Sequence, residues 1–163
     1  MKQSVLTLVD LVFLGTRVEI NPEFKGSAED FDFDGALIHW GLRHGPKSDD
    51  GRSWWVGLDF TIKSEKEKLC PYNVEMKAVA MFIVDESVPQ DKRETMAFEN
   101  GLAMVYGAIR EMVSNITSRS AFGKLMLPTA SFFGTLEEHK LKQQQQNETK
   151  PSDSGSSQEN QPA

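Results

Sequence analysis

Residues 53–62 read SWWVGLDFTI, and their alternation is strict. Trp54, Val56, Leu58, Phe60 and Ile62 point one way, while Trp55, Gly57, Asp59, Thr61 and the following Lys63 point the other. Successive side chains of a strand face opposite sides, so this stretch predicts a strand with one buried apolar face. Glu65 to Lys68 supplies a polar turn, and Tyr72 to Val84 predicts the next strand, apolar on both faces from Val79 onward. Upstream, Ala36, Ile38, Trp40 and Leu42 alternate in the same way. Gly45-Pro46 and the Asp49-Asp50-Gly51 turn then return the chain as a hairpin. Val5 to Leu14 is apolar on both alternating faces except at Thr7 and Asp10, which predicts a strand covered on two sides. Gly15 permits a bulge, after which Val18 and Ile20 alternate with polar residues as far as Pro22. Four antiparallel strands thus precede any long helix, the order expected of an α+β fold.

The connection 23–35 is acidic and glycine-containing yet carries Phe24, Phe31 and Phe33, too many rings for a solvated loop. Pro89 to Asn100 predicts a short helix or turn, with Asn100-Gly101 capping a principal helix from about Leu102 to Ser118. At 100° per residue Leu102, Val105, Ile109, Met112, Val113 and Ile116 fall in one stripe, the face expected to cover the sheet. Beside it, Gly101, Met104, Ala108 and Asn115 make a seam of small or uncharged residues that can accept another helix. Self-association fills that seam; the alternative is the short C-terminal helix, expected over Ser131 to Gln145 with Phe132, Phe133, Leu136 and Leu141. A folded unit over 1–142 is therefore expected. From Gln143 the chain is Gln-, Asn- and Ser-rich, and the tail 143–163 is expected to be disordered, because it has no apolar surface to offset its ordering entropy.

A formal net charge of -6 without a segregated basic patch argues against nucleic acid as a partner. The single cysteine, Cys70, excludes an internal disulfide framework and a cysteine-based zinc cluster, and suits a reducing cytoplasm. The N-terminal apolar run is interrupted by Asp10 and lacks a small-x-small cleavage site, so it reads as a strand. No run approaches the ~20 apolar residues that cross a bilayer.

Chemistry-bearing groups are sparse. His39, His44 and His139 are the only histidines, and a shared metal would need a carboxylate that the sequence does not place beside them. There is no G-x-S-x-G, P-loop, G-x-G-x-x-G or H-E-x-x-H. Asp32 with Asp34 and Asp49 with Asp50 flank turns, where acidic pairs are solvated faces rather than acid/base couples. Arg110-Glu111 reads as a structural ion pair. No enzymatic activity and no cofactor are expected.

The junction 109–132, IREMVSNITSRSAFGKLMLPTASF, resembles the SecB family of protein-export chaperones, in which an Arg-Glu pair on the long helix precedes Ser-Arg-Gly-x-Phe-Pro-x-Leu-x-Leu and a proline before Asn-Phe. The matching positions are Arg110, Glu111, Ser118, Arg119, Phe122, Leu125, Leu127, Pro128 and Phe132, with the proline one place early; Ser120, Gly123 and Ser131 depart from the pattern. SWWVGLDFTI and YNVEMKAVAMFIV carry a weaker likeness, which spans roughly residues 5 to 140. The resemblance implies a cytoplasmic dimer of dimers and ATP-independent holding of unfolded or secretory polypeptides for the Sec translocase. It makes Phe24, Phe31, Phe33, Trp40, Phe132, Phe133 and Leu136 candidates for the walls of a client-binding groove. It places a docking face for the SecA motor at Tyr72 and Glu75, where Arg17 and Asn21 replace family acids and Asn73 replaces a leucine. Two alternatives stay open: a SecB-like chaperone dedicated to another client, such as the antitoxin of a toxin-antitoxin system, and a small-molecule-binding or hydrolytic domain built on Trp40, Trp54 and Trp55.

Overall fold

The alternation of residues 53–62 is reproduced throughout: Val56, Leu58 and Phe60 are fully buried on one face of a sheet and Trp55, Asp59 and Thr61 lie on the other. The computed structural model describes residues 4–148; the remainder of the expected tail, 149–163, lies outside the described residues. The elements are β1 (Leu6–Ile20), β2 (Leu37–Pro46), β3 (Ser53–Lys63), β4 (Tyr72–Val84), α1 (Gln90–Thr117) and α2 (Thr135–Glu148). The strands form one antiparallel sheet in the order β1-β4-β3-β2, so the 23–35 connection carries the chain from one edge of the sheet to the other.

β1 is an edge strand, and the cover expected on both of its faces is incomplete among the described residues: Val12, opposite Val79 on the open side of the sheet, and the bulged Val9 and Leu14 are exposed, Leu14 by 66%, as are Leu8 and Ile20, which lie opposite Phe82 and Tyr72 on the helix side. Leu11, Phe13 and Val18 do pack against the core. The bulge expected at Gly15 leaves Leu14 unpaired, and a second leaves Val9 unpaired; both bend the strand.

α1 is one continuous helix, so the expected break at Asn100-Gly101 is absent. Gly101 is buried against the sheet because a β-carbon there would sit 2.9 Å from the Phe82 ring and 3.0 Å from Val56. Helix and sheet meet closely at that point, and glycine is retained despite its low helix propensity. The buried face is Phe98, Leu102, Val105, Tyr106, Ile109, Val113 and Thr117. Met112 is half-buried and Ile116 exposed, a stripe rotated from the expected one. α2 starts at Thr135 and runs past Gln143 to Glu148, beyond the expected end of the folded unit at 142. No helix among the described residues is long and apolar enough to cross a membrane.

Candidate functional site

Between the helices, residues 118–134 form an extended strap laid back along α1. Four side chains of one helix face hold its backbone. Thr117 Oγ1 accepts the Leu125 N–H at 2.8 Å, and Arg110 Nε donates to the Leu127 carbonyl at 3.0 Å. Tyr106 donates its hydroxyl to the Pro128 carbonyl at 2.7 Å, and Glu99 accepts the Gly134 N–H at 2.8 Å. At 100° per residue, positions 99, 106, 110 and 117 fall within about 40° of one another, so the helix presents them as a line. From the sheet, the Tyr72 hydroxyl donates to the Gly123 carbonyl at 2.7 Å and accepts the Phe122 N–H. Burial pushes the Tyr106 hydroxyl up to about 12, so it remains a donor at every ordinary pH. Arg110 is therefore a backbone clamp rather than half of an Arg-Glu pair. The polar spacing on α1 is the signal that would have identified these clamps from sequence.

Pinned this way, the strap buries Leu125, Leu127 and Phe132 and leaves Ala130, Ser131 and Phe133 on its outer side. Two clefts flank it. The larger, about 990 Å³, lies between the N-terminal half of α1 and residues 130–133, with Met96, Ala103, Phe132 and Phe133 among its walls and Lys92 at its rim. The smaller, about 360 Å³, lies between Trp40, Gly41 and Leu42 of β2 and Thr135, Glu138 and His139 of α2.

The expected groove residues divide into three sets. Phe133 is 92% exposed at the larger cleft, whereas its neighbour Phe132 is buried. Trp40, 38% exposed at the smaller cleft, packs edge-on against Phe60 and Phe132 and tilted against Tyr106, with Leu136 buried nearby at the start of α2. Phe24, Phe31 and Phe33 are half-buried and form an edge-to-face chain completed by Phe122, which was expected in the junction motif but not among the groove walls. These last three hold the crossing connection against the strap as much as they line a surface.

Tyr72, expected on a docking face, is fully buried and serves the strap. Asn21 is also buried: its amide donates to Ser64 and to the Cys70 carbonyl, so its side chain ties the end of β1 to the turn before β4. Glu75 is on the open side of the sheet, level with Arg17, which pairs with Glu19 at 2.9 Å. On the outer flank of α1, Met104 and Asn115 are exposed and Ala108 half-buried, whereas Gly101, expected with them, faces the sheet. Trp55 lies on the opposite side of the sheet from Trp40 and Trp54, so the three tryptophans do not converge on one pocket.

A polar cluster ties β2 to both helices. His44 Nε2 is 2.9 Å from Glu94, whose other oxygen takes Lys140 at 2.6 Å; His139 stacks on Phe98 with centroids 5.6 Å apart. Burial works to raise the Glu94 carboxyl, but the bonds from His44 and Lys140 outweigh it and hold it below its ordinary value. Among the described residues no group of three or more His, Cys, Asp or Glu side chains is arranged to hold a metal.

The family model for SecB, the preprotein translocase subunit, matches residues 38–145, from β2 through both clefts to α2. The chain belongs to the SecB family. A similar solved structure is the Mycobacterium tuberculosis Rv1957 SecB-like chaperone in complex with a ChAD peptide from the Rv1956 HigA1 antitoxin. It has 17% identity and a TM-score of 0.53 over 77% of this chain and 88% of that one, which shows a SecB-like fold. A protein of unknown function from Streptococcus agalactiae is more distant, with 10% identity and a TM-score of 0.46 over 76% of this chain and 97% of that one. No curated protein matches the chain. β1 and the Phe24, Phe31 and Phe33 connection precede the SecB match.

Proposed function

We propose that this SecB-family protein is an ATP-independent holding chaperone of the cytoplasm that binds extended apolar segments of unfolded polypeptides in the clefts beside the strap. The observation that carries the reading is Phe133, a phenylalanine almost wholly in water at the mouth of an apolar cleft. An exposed ring does little for folding, whereas in a cleft it offers large, sequence-tolerant contact. Secretory preproteins kept competent for the Sec translocase are the first client class. A dedicated client is the second, favoured by the antitoxin peptide named with the mycobacterial neighbour. Docking to SecA would use the open sheet face around Glu75, where Arg17 and Asn73 give mixed rather than acidic chemistry. The proposed assembly is a dimer of dimers, using Met104, Ala108 and Asn115 of α1 together with the uncovered apolar residues of β1.

The test is to dilute a chemically unfolded preprotein into buffer without nucleotide and follow light scattering as this protein is added. Suppression that saturates near one assembly per client supports general holding. Absence of suppression by folded protein, with tight capture of one specific peptide, supports the dedicated-client reading. Neither activity would overturn the proposal.

A further inference from the structure

Among the described residues neither helix covers one face of the sheet. α1 packs on the side of Val56, Leu58 and Phe60, whereas Val12 of β1, Trp55 of β3 and Val79, Met81 and Ile83 of β4 lie on the other, Val12 41% and Ile83 40% exposed. They are neighbours: Met81 is opposite Trp55, and Val79 is opposite Val12 on one side and Gly57 on the other. The solvated face of an antiparallel sheet normally carries polar residues, so a contiguous apolar set there marks a contact surface.

This face is also flat. The strand glycines Gly15, Gly41, Gly45 and Gly57 all fall on it. At Gly45 a β-carbon would stand 2.7 Å from Trp55 Nε1, and at Gly41 it would stand 3.1 Å from the Asp59 β-carbon. The Trp55 ring therefore spreads over Gly45 toward Gly57 instead of standing off the sheet. Glycine within a strand is a mark of close approach by another backbone, and flat faces are what stacked sheets pair.

We infer that the open face stacks against the open face of a second copy, turned over about an axis that runs along the strands between β3 and β4. Such an axis keeps each cross-strand level and exchanges the two sides, so the contact is isologous. Apolar levels then meet apolar levels: Met81 lies over the partner copy's tryptophan at position 55, and Val79 over its glycine at position 57. Lys77, opposite Asp59 within its own sheet, also meets the aspartate of the other copy. Asp10 comes over Gly45 and beside Lys47, whose ammonium rests on Met81 Sδ at 3.2 Å. Asp10, Lys47 and Lys77 make no ion pair among the described residues, so the second copy supplies what each lacks. No level sets two Asp or Glu, or two Lys or Arg, face to face. An axis across the strands would instead lay the apolar levels on the charged ones around Glu75. With strands about 4.8 Å apart and about 3.3 Å per residue, the face measures roughly 19 by 35 Å, so two copies bury on the order of 1,300 Å², at the lower end for a specific contact. The contact is separate from the α1 and β1 surfaces proposed for assembly, and it excludes docking of another protein around Glu75.

The test is sedimentation velocity of the full-length protein over a wide range of concentration, with acrylamide quenching of Trp55 as the local readout, read against a Trp55→Phe chain. A concentration-dependent doubling of mass is expected, with Trp55 shielded as it occurs. Met81→Glu should weaken that step at least about tenfold, because the carboxylate is left unpaired in an apolar contact. Ile83→Lys, at an exposed position, should weaken it too and reports even if Met81→Glu disturbs the sheet. Lys77→Glu should weaken it, and adding Asp59→Lys should restore it; failure to restore it would overturn the orientation. Ala108→Glu on α1 should leave the step in place. A mass independent of concentration, or a step of equal strength in wild type, Met81→Glu and Ile83→Lys, would overturn the stacking. Shielding of Trp55 only when the SecA motor is added would overturn it as well and assign the face to docking. None of these readouts involves a client, so the result is independent of the chaperone reading.

Discussion

Replacing Thr117 by valine isolates one of the bonds that shape the site. Thr117 is fully buried at the last turn of α1; its hydroxyl donates to the Val113 carbonyl at 2.7 Å and accepts the buried Leu125 N–H at 2.8 Å. Valine keeps the shape and nearly the same helix propensity, so the substitution removes the hydroxyl and little else. The Val113 carbonyl remains in the helix ladder, but the Leu125 N–H has neither water nor another acceptor within the packed strap. An orphaned buried donor costs about 1–3 kcal/mol. For a chain of this size that lowers the thermal midpoint by roughly 2–12 °C. Thr117→Ser keeps the acceptor and loses one methyl, about 0.8 kcal/mol by transfer alone. The assay is urea unfolding at a fixed protomer concentration, with exchange at the Leu125 amide as the local readout. Valine should be the more damaging substitution and should expose Leu125 preferentially. If Thr117→Val unfolds within about 0.5 kcal/mol of wild type, or if serine costs as much as valine, the strap is not held by this bond.

Phe133→Ser should weaken binding of unfolded protein severalfold while stability, by denaturant unfolding, stays within about 0.5 kcal/mol, as for most exposed substitutions. Phe31→Ser with Phe33→Ser should instead lower stability by about 2–4 kcal/mol, because both rings are half-buried in edge-to-face contacts; an unchanged unfolding midpoint would identify them as groove walls alone. Leu14→Glu on β1 and Ala108→Glu on α1 should each reduce the mass measured by light scattering, since an unpaired carboxylate in a packed interface costs several kcal/mol; unchanged mass in both would remove these surfaces from the assembly. Lowering pH should loosen α2. Burial, then His44 and Lys142, hold His139 below its ordinary value of 6.5, and it also faces Phe98 on α1 and Gln143 on its own helix, with Lys140 and Glu94 beside it. The docked form thus binds fewer protons than the released form: its advantage is full above pH 6.5 and is lost as pH falls through the depressed value. Exchange of α2, corrected for intrinsic rates, should accelerate below pH 6.5, and His139→Phe should flatten that dependence.

The fold was legible where burial and periodicity coincide. β3 and β4 alternate cleanly because α1 covers one face of the sheet, and the pattern records that cover directly. β1 was legible only in part for the same physical reason: apolar residues on both faces announce that something covers them, but not whether the cover belongs to the same chain. The order β1-β4-β3-β2 leaves it at an edge. Gly101 reads as a break by propensity, yet its role is set by Phe82 and Val56, which only the tertiary structure brings within 3.0 Å. The site was legible as a composition of rings, not as an arrangement. Phe132 and Phe133 are adjacent and chemically identical, and the clamping of the strap alone decides that one is buried and the other lies in water. The polar cluster that ties β2 to both helices could not be read at all, since His44 and Glu94 are separated by 50 residues and Glu94 and Lys140 by 46.

Two kinds of uncovered apolar surface occupy opposite edges of the sheet, and this bears on how assembly and binding are related. β1 ends one edge and β2, with α2 beside it, ends the other. A partner copy seated on β1 would leave the β2 edge and the smaller cleft free. Joining protomers through one edge therefore multiplies the binding edges without occluding them. Each cleft is small beside an unfolded chain, so single-site affinity is expected to be modest, and tight holding must come from several clefts engaging one client. Loss of β1-mediated assembly should then lower avidity for long clients while leaving the affinity for a short apolar peptide nearly unchanged. A large loss for both would mean that the clefts themselves are completed by the partner copy.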